Sequence, residues 1–314
     1  MRLRSSWPTA LALGAAAFGQ PEDTPTFRAD TRLVALHATV VDKNGKLVTN
    51  LAQNAFKVFE NNVEQTIKIF KREDVPVSMG LVIDNSGSMR DKRAKVSAAA
   101  LRLVRESNRD DEVFIVNFND EAYLDVPFTN DMKKMEEGLA RIDSRGGTAM
   151  RDAVSMSIDW AKEKGKHDKK VLLVVTDGDD NTSQITLEKL VQKCQQSEIL
   201  VYAIGILSQE ERREAKRAQR ALEALTRSSG GSAFFPLELN EVETIASEVA
   251  HNIRNQYILA YTPNNTVLDG SYRQIRVTAN GPNRPVVRTR TGYYATAQPA
   301  GKKTASSARS PGNP

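Results

Sequence analysis

The chain has 314 residues, of which 40% are hydrophobic and 26% are charged, and its formal net charge is +5. This length and composition are typical of a globular protein of about two domains. The positive excess is spread along predicted helices and the last residues, without a stripe of arginines interleaved with aromatic residues, which argues against nucleic-acid binding. The single cysteine, Cys194, excludes an intrachain disulfide, and its place on an apolar helical stripe predicts a buried side chain.

The N-terminus has the pattern of an export signal. Two arginines precede an apolar stretch at 9–19, and Ala17-Phe18-Gly19 gives a small-x-small cleavage pattern. This predicts a secretory signal peptide over residues 1–19 and a polar linker over 20–29, and hence a periplasmic or extracellular protein. No later segment is apolar enough to predict a transmembrane helix.

Residues 30–73 predict a small N-terminal β unit. A strand is expected from 31 to 41, and the Asn-Gly pair inside 42–46 is a strong turn signal. Two further strands are expected at 56–60 and 65–71. So few strands are not expected to be stable alone.

From 74 to 255 the pattern changes to alternating strands and helices. Apolar runs predict buried strands at 77–83, 112–118, 170–176 and 199–206, with an edge strand at 122–128. Amphipathic or charged stretches predict helices at 92–105, 132–142, 150–164, 186–197, 208–227 and 241–255. This alternation predicts an α/β fold with a doubly wound, mostly parallel sheet flanked by helices.

The β pattern returns after residue 255. Strands are expected at 256–261, 272–279 and 286–294. Because two incomplete sheets at opposite ends of a chain can complete each other, we expect residues 256–296 and the N-terminal strands to form one accessory β-rich unit. Residues 297–314 have low complexity and predict a disordered basic tail.

An acid and two hydroxyls follow the first apolar run of the α/β region. Asp84, Ser86 and Ser88 stand at positions i, i+2 and i+4. Asp84 would lie at the carboxyl end of a buried strand, where open α/β sheets place their ligand sites. One carboxylate and two neutral hydroxyl oxygens make half of a site for a hard cation.

Two later segments can supply the other half. Gly146-Gly147-Thr148 precedes a predicted helix, and its glycines allow the backbone to approach closely while Thr148 offers a hydroxyl. Asp177 ends a second apolar run, which places another carboxylate at the same sheet edge as Asp84. Mg²⁺ takes about six oxygen ligands and keeps waters readily, so these five side chains leave at least one position for an outside oxygen donor.

Together, segments 84–88, 146–148 and 176–178 resemble the metal-ion-dependent adhesion site of the von Willebrand factor type A domain. The resemblance covers residues 74–255 and implies a Rossmann-like fold. It also implies a divalent cation, Mg²⁺ first with Mn²⁺ or Ca²⁺ as alternatives, held by Asp84, Ser86, Ser88, Thr148 and Asp177. In the family the hydroxyls contact the cation, the aspartates often act through water, and a glutamate or aspartate of a partner protein completes the coordination.

The flanks add a second resemblance. Segments 40–48, 56–60, 257–263 and 290–294 are similar to the outer parts of bacterial secreted proteins described as VWFA-related, which are common in acidobacteria. This resemblance implies no established activity.

Three other interpretations explain the same residues less well. Helix caps and a turn explain each segment singly, but explain three convergent segments poorly. A haloacid dehalogenase-like phosphatase needs a second acid where Ser86 stands, and no motif ties His37, His167 or His251 to a serine as a base. The sequence therefore predicts a metal-dependent protein-binding module that is not an enzyme. A scaffold with a purely structural cation is the alternative, and an Mg²⁺-dependent hydrolase comes next.

Four charged residues lie near the predicted site in the sequence, and each pair has two possible roles. Asp179 and Asp180 are expected in a solvated loop, with a negative rim to the site as the alternative. Arg145 and Arg151 are expected on a solvated surface, with steering of an acidic partner as the alternative.

Overall fold

The computed structural model describes residues 33–72, 74–140, 144–208 and 211–296. The predicted signal peptide (1–19), linker (20–29) and basic tail (297–314) lie outside the described residues. The strands found within them are β1 (Val34–Val41), β2 (Phe56–Glu60), β3 (Val63–Gln65), β4 (Ile67–Lys71), β5 (Val77–Asp84), β6 (Glu112–Phe118), β7 (Ala122–Thr129), β8 (Lys169–Thr176), β9 (Leu200–Gly205), β10 (Ala233–Phe234), β11 (Tyr257–Tyr261), β12 (Tyr272–Ala279), β13 (Val286–Arg288) and β14 (Gly292–Tyr294).

The helices of the described residues are α1 (Arg93–Arg105), α2 (Met132–Ala140), α3 (Met150–Lys164), α4 (Leu187–Ser197), α5 (Arg212–Ser229) and α6 (Val242–Arg254). Local sequence sets several of their ends. The Thr186 hydroxyl caps α4 by accepting the backbone N–H of Lys189, and α5 stops at Gly230, whose φ of +95° suits glycine. None of the helices described is long and apolar enough to cross a membrane.

The central sheet has six strands in the order β10-β9-β8-β5-β6-β7. Neighbours are parallel except for β7, which runs antiparallel to β6 at one edge. Every residue of β5 and β6 is buried, because helices cover both faces and leave neither to solvent. The predicted fold class, a doubly wound and mostly parallel α/β sheet flanked by helices, is confirmed.

Two helical layers enclose this sheet. Helices α1, α2 and α6 pack on one face, and α3, α4 and α5 pack on the other. Gly80 in β5 faces the second layer, where a side chain would overlap the ring of Phe114, so glycine lets that ring pack against the strand. Cys194 is 2% exposed in the same layer, as predicted, and burial raises the pKa of its thiol to about 12.

Strand β5 lies where the strand order reverses. The chain passes from β5 through α1 to β6 on one side and reaches β8 on the other side later. In open α/β sheets a crevice forms at such a point, beyond the carboxyl ends of the strands. Asp84, the last residue of β5, therefore stands at the mouth of this crevice.

The remaining strands form two antiparallel sheets, ordered β13-β1-β11-β4 and β14-β12-β2-β3. Each sheet combines strands from before and after the α/β region. Both sheets contribute to one core, with Phe56, Tyr257 and Ile275 among its members. The expectation that the two flanks form one accessory β unit is confirmed.

The domain boundaries placed at residues 74 and 255 stay predictions. Hydrogen bonds connect the α/β region to the accessory β unit across the second of these boundaries. The side-chain amide of Gln256 donates both to the Thr39 hydroxyl in β1, at 3.0 Å, and to the Tyr202 hydroxyl in β9, at 3.2 Å.

Two predicted strands are each divided between the two antiparallel sheets. The strand expected at 65–71 is split, so that β3 pairs with β2 and β4 pairs with β11. The strand expected at 286–294 is likewise split into β13, paired with β1, and β14, paired with β12. In both places the chain crosses from one sheet to the other at a corner of the sandwich. A continuous alternating pattern does not reveal such a change of partner.

A buried ion pair joins strands of both flanks. Glu60 Oε1 and Arg273 Nη1 lie 3.1 Å apart, and both side chains are almost completely buried. The hydroxyls of Tyr261 and Tyr293 donate to Glu60 Oε2 at 2.7 and 2.9 Å. Burial and the neighbouring carboxylate raise the pKa of Tyr261 above its ordinary value. The Glu60 carboxylate is thus fully engaged by residues of β11, β12 and β14.

Replacing Glu60 by glutamine should lower the free energy of unfolding by about 3–5 kcal/mol, because it leaves the Arg273 guanidinium buried without its counter-charge. Urea denaturation measures the change. The matched control is Glu64→Gln in β3, whose ion pair with Lys57 is about half exposed and whose expected loss is below about 1 kcal/mol. Equal losses in the two variants would contradict a structural role for the buried pair.

His37 in β1 should make stability depend on pH. Burial lowers the pKa of His37 to about 3, and the positive charges of Lys169 and Arg290 add to the shift. The unfolded chain, with the ordinary pKa of 6.5, therefore binds a proton at mildly acidic pH that the folded protein does not, and stability falls as pH falls. Between about pH 6 and 4 the wild type should lose about 1.4 kcal/mol per pH unit relative to His37→Gln. Urea denaturation at each pH tests this, and a difference that is constant with pH would contradict it.

Candidate metal centre

Asp84 is buried completely at the carboxyl edge of the central sheet. Its Oδ1 accepts a hydrogen bond from the backbone N–H of Ser86 at 2.8 Å, and its Oδ2 accepts one from the Thr176 hydroxyl at 2.6 Å. Burial raises the pKa of this carboxyl group to about 6; the hydrogen bonds oppose the shift, and the charge of Asp177 adds to it. A positive charge beside Asp84 would therefore stabilise the ionised form.

Side-chain oxygen atoms lie close together next to Asp84, and they belong to Ser86, Ser88 and Asp177. The hydroxyl oxygens of Ser86 and Ser88 lie 3.2 Å apart, and the Ser88 hydroxyl donates to Asp177 Oδ1 at 2.8 Å. Asp177 directly follows β8, the neighbour of β5, which explains why the two carboxylates lie at the same edge of the sheet. The structure thus brings together four of the five predicted site residues.

The ammonium group of Lys92 also reaches this cluster. Lys92 Nζ lies 2.5 Å from Asp177 Oδ2, so a hydroxyl engages one oxygen of that carboxylate and a cation engages the other. The Lys92 side chain is 29% exposed, whereas that of Asp177 is 0% exposed. Sequence reasoning missed Lys92, because a lysine at the start of a charged helix carries no signal of its own.

The loop containing Gly146 is bonded to the loop after β5 through the backbone. The N–H of Gly87 donates to the carbonyl of Gly146 at 3.3 Å, and the N–H of Arg145 donates to the carbonyl of Asn85 at 3.2 Å. Two segments that are far apart in the sequence are therefore joined next to Ser86 and Ser88, where they form a rim of the site.

Thr148 lies on this rim with its backbone held in place. Its N–H donates to the side-chain oxygen of Asn181 at 2.9 Å, and its carbonyl accepts the N–H of Asn181 at 3.1 Å. Among the residues described, no hydrogen bond joins the Thr148 hydroxyl to the other four predicted ligands. The structure therefore places Thr148 beside the cluster without bonding it to the cluster.

Asp120, another residue that sequence reasoning missed, shapes the turn before Thr148. Its Oδ1 accepts the N–H of Gly147 at 2.7 Å. Gly146 has a φ of +74°, and a side chain there would collide with the Asp120 carboxylate, so only glycine suits this position. Asp120 comes two residues after β6, the other neighbour of β5, and this place at the same sheet edge is a signal that could have found it.

Asp180 is not the solvated loop residue that the sequence suggested. Its side chain is 5% exposed and pairs with the Arg151 guanidinium at 2.9 Å, and it also accepts the backbone N–H of Arg151 at 2.7 Å. This carboxylate satisfies a donor at the start of α3 and ties the loop after β8 to that helix. Arg151 is therefore engaged within the protein, whereas Asp179 is more exposed and pairs with Arg217.

A guanidinium group is buried close to the acidic residues. Arg93 in α1 is 1% exposed, and its Nη2 donates to Asn117 Oδ1 at 2.6 Å. Burial lowers the pKa of Arg93 to about 10, while the charges of Asp84 and Asp125 oppose the shift. Arg93 stays positive near neutral pH and offsets part of the buried negative charge of Asp84.

The donor set fits a small, hard cation. Neighbouring ligands of an octahedral Mg²⁺ ion are about 3.0 Å apart, close to the 3.2 Å and 2.8 Å separations along Ser86, Ser88 and Asp177. No group of three or more His, Cys, Asp and Glu side chains that could hold a metal occurs in the described part of the chain. A cation here would depend on hydroxyl oxygens as much as on carboxylates, which suits Mg²⁺, Mn²⁺ or Ca²⁺. The role of the five residues as metal ligands stays a prediction.

Curated proteins similar to this chain include bacterial and animal members. The chain is 28% identical over 141 residues to an uncharacterized protein of Borreliella burgdorferi, covering 44% of this chain and 40% of that protein. It is 35% identical over 86 residues to human integrin alpha-11, covering 26% of this chain and 7% of that protein. The match thus spans less than half the length of each of these relatives.

Solved structures also align with the chain at low identity. The von Willebrand factor type A protein of Catenulispora acidiphila aligns with a TM-score of 0.49 at 12% identity, covering 86% of this chain and 75% of that one. The vWF domain of the type V pili tip protein Mfa5 of Porphyromonas gingivalis aligns with a TM-score of 0.46 at 12% identity, covering 57% of this chain and 97% of that one.

A protein-family model assigns part of the chain to a domain family. Residues 79–179 match the model of the von Willebrand factor type A domain. This segment runs from β5 to just beyond β8 and includes all five predicted site residues, from Asp84 to Asp177. The chain therefore carries a von Willebrand factor type A domain.

Proposed function

We propose that this domain binds a partner protein through a divalent cation, Mg²⁺ in the first place, with a glutamate or aspartate of the partner completing the coordination. One observation carries the proposal: oxygen atoms of Asp84, Ser86, Ser88 and Asp177 converge at the carboxyl edge of the sheet. The separations of 3.2 Å between the Ser86 and Ser88 hydroxyls and of 2.8 Å between the Ser88 hydroxyl and Asp177 Oδ1 are close to those of neighbouring ligands around one small ion. Mn²⁺ and Ca²⁺ are the alternative ions.

Each residue of the chain has a distinct part in this proposal. Asp84 and Asp177 supply negative charge, and Ser86, Ser88 and Thr148 supply neutral oxygens. Hydrogen bonds from Ser86 and Thr176 orient the Asp84 carboxylate in advance, so binding does not have to order it. The bound cation would supply a positive charge that attracts a further anionic oxygen.

The rim of the site favours a role in binding over a purely structural cation. Gly87 and Ser88 are exposed, although Asp84 and Ser86 beside them are buried. A ligand from another molecule can therefore approach the outer side of the cluster. A cation that served only to hold a scaffold together would not need this opening.

A hydrolase fits the site less well. Nucleophilic use of Ser86 or Ser88 requires a base within hydrogen-bonding reach. Neither serine is hydrogen-bonded to a histidine in the part of the chain that the structure describes; His167, for example, contacts the carbonyl of Asp110. We therefore propose that the protein is not an enzyme, and generic phosphatase and esterase substrates with Mg²⁺ test this directly.

Asp84→Asn should weaken Mg²⁺ binding by about 100-fold, and Thr148→Val by about tenfold, because each removes a proposed oxygen ligand. Isothermal titration calorimetry with MgCl₂ measures both. Asp84→Asn keeps the size of the side chain and one of the two hydrogen-bond acceptors of Asp84, so the metal-free fold should remain intact although the buried Arg93 loses part of its counter-charge. If Asp84→Asn and the wild type unfold at the same temperature without metal, the loss of Mg²⁺ binding is not due to a loss of the fold.

The matched control for these variants is Thr182→Val. Thr182 is exposed on the neighbouring loop, and its N–H donates to the Thr148 carbonyl at 3.4 Å. It is thus a threonine near Thr148 whose hydroxyl is not a proposed ligand. Its substitution should leave Mg²⁺ affinity unchanged. A wild-type protein that binds no Mg²⁺, Mn²⁺ or Ca²⁺, or an Asp84→Asn variant that binds as tightly as wild type, would sink the proposed metal centre.

Partner capture should require the cation. The export signal predicted at 1–19 leads us to propose a periplasmic or extracellular partner. Purified protein incubated with the native envelope fraction should retain a partner in Mg²⁺ and lose it in EDTA, and Asp84→Asn should retain none. A partner held equally well in EDTA would count against a bridging cation and favour the scaffold alternative.

A further inference from the structure

Lys92 is directed at the site by the start of helix α1. Its backbone N–H donates to the carbonyl of Met89 at 3.0 Å, and its carbonyl accepts the N–H of Val96 at 3.1 Å. These bonds fix the point from which the side chain extends. Because the backbone is anchored on both sides, the contact of Lys92 Nζ with Asp177 Oδ2 at 2.5 Å is set by the fold as well as by the attraction of opposite charges.

The Lys92 ammonium and a divalent cation would need the same carboxylate. Asp177 Oδ1 already accepts the Ser88 hydroxyl, and Oδ2 is the oxygen that Lys92 occupies. An ion bound by Ser86, Ser88 and Asp177 would stand only a few Å from this ammonium group, and like charges at that separation repel each other. The Asp177 side chain is fully buried, so solvent and salt screen this repulsion less than they would on an open surface.

A path for the ammonium to leave also exists. The Lys92 side chain is 29% exposed, and a lysine stem can keep its apolar part against the protein while the charged end moves into water. Displacement therefore needs a change of rotamer and no movement of α1.

We infer that Lys92 is a built-in competitor of the divalent cation. Its ammonium group holds the Asp177 carboxylate at low cation concentration and is expelled toward solvent when the ion binds. This inference rests on the proposed function of the site as a metal centre. Lys92 then sets the cation concentration at which the site fills, although it is not itself a ligand.

The first test compares the Mg²⁺ affinities of the wild type, Lys92→Met and Lys95→Met by isothermal titration calorimetry. Lys92→Met keeps a stem of similar length without the charge and should bind Mg²⁺ about tenfold more tightly, since a charge-assisted hydrogen bond no longer competes. Lys95 lies in the first turn of the same helix and is exposed, so Lys95→Met removes one positive charge from α1 and should leave the affinity near that of the wild type.

The second test follows the ammonium group itself in the wild-type protein. Brief acetylation with acetic anhydride, read by mass spectrometry of peptides, should label Lys92 several-fold faster in Mg²⁺ than in EDTA, while the labelling of Lys95 stays constant. A structural role of Lys92 alone would not change its reactivity when the ion is added.

The outcomes separate this inference from the proposed function. Wild type and Lys92→Met binding Mg²⁺ equally, with Lys92 labelling insensitive to Mg²⁺, would overturn the inference and leave the metal centre standing. Binding by Lys92→Met alone would support the inference and show that the competitor dominates in the wild type. No binding of Mg²⁺, Mn²⁺ or Ca²⁺ by either protein would overturn both.

Discussion

A carboxylate buried at the end of a central strand has to be matched by donors or positive charge, and the surroundings of Asp84 supply both. Ser86 and Thr176 donate to its two oxygens, and the buried Arg93 acts on it electrostatically. Even so, the pKa of Asp84 stays above its ordinary value, so the compensation is incomplete. The loops after β5 and β8 and the rim at Gly146 hold this partly compensated charge in one place, next to the exposed Gly87 and Ser88.

Much of this arrangement follows from local pattern. Asp84 and Asp177 each end an apolar run, and parallel strands bring such ends to one edge, so their meeting could be predicted from the sequence. The role of Lys92 could not be predicted in the same way, because it depends on which side chains face each other after folding. Asp120, by contrast, follows β6 at the same sheet edge and could have been found by the same rule. The prediction for Asp180 was wrong for a related reason. An acid in a polar loop is expected to be solvated, and the sequence does not show that the start of α3 packs against it.

The antiparallel sandwich was predictable in outline and not in its connections. The alternation of apolar and polar residues identified most of its strands. It did not predict the division of 65–71 and 286–294 between two sheets, because the alternating pattern does not mark the corners where the chain changes sheet. Arg290 lies in one of these corners, where it donates to the Ala35 carbonyl at 3.0 Å. A buried arginine inside an apparent strand is explained by that crossing and not by either strand alone.

The insertion of the α/β region between β4 and β11 also decides how the molecule transmits load. These two strands are neighbours in one sheet, so both ends of the inserted region emerge side by side. They do so at the amino edge of the central sheet, where Val77 N–H donates to Asp111 and Arg254 pairs with the same carboxylate. The candidate metal centre lies at the opposite edge, about 23 Å away along β5. Tension between a partner held there and the sandwich would therefore run lengthwise along β5, whose own backbone joins Asp84 to the start of the inserted region, and would not peel one strand from the sheet.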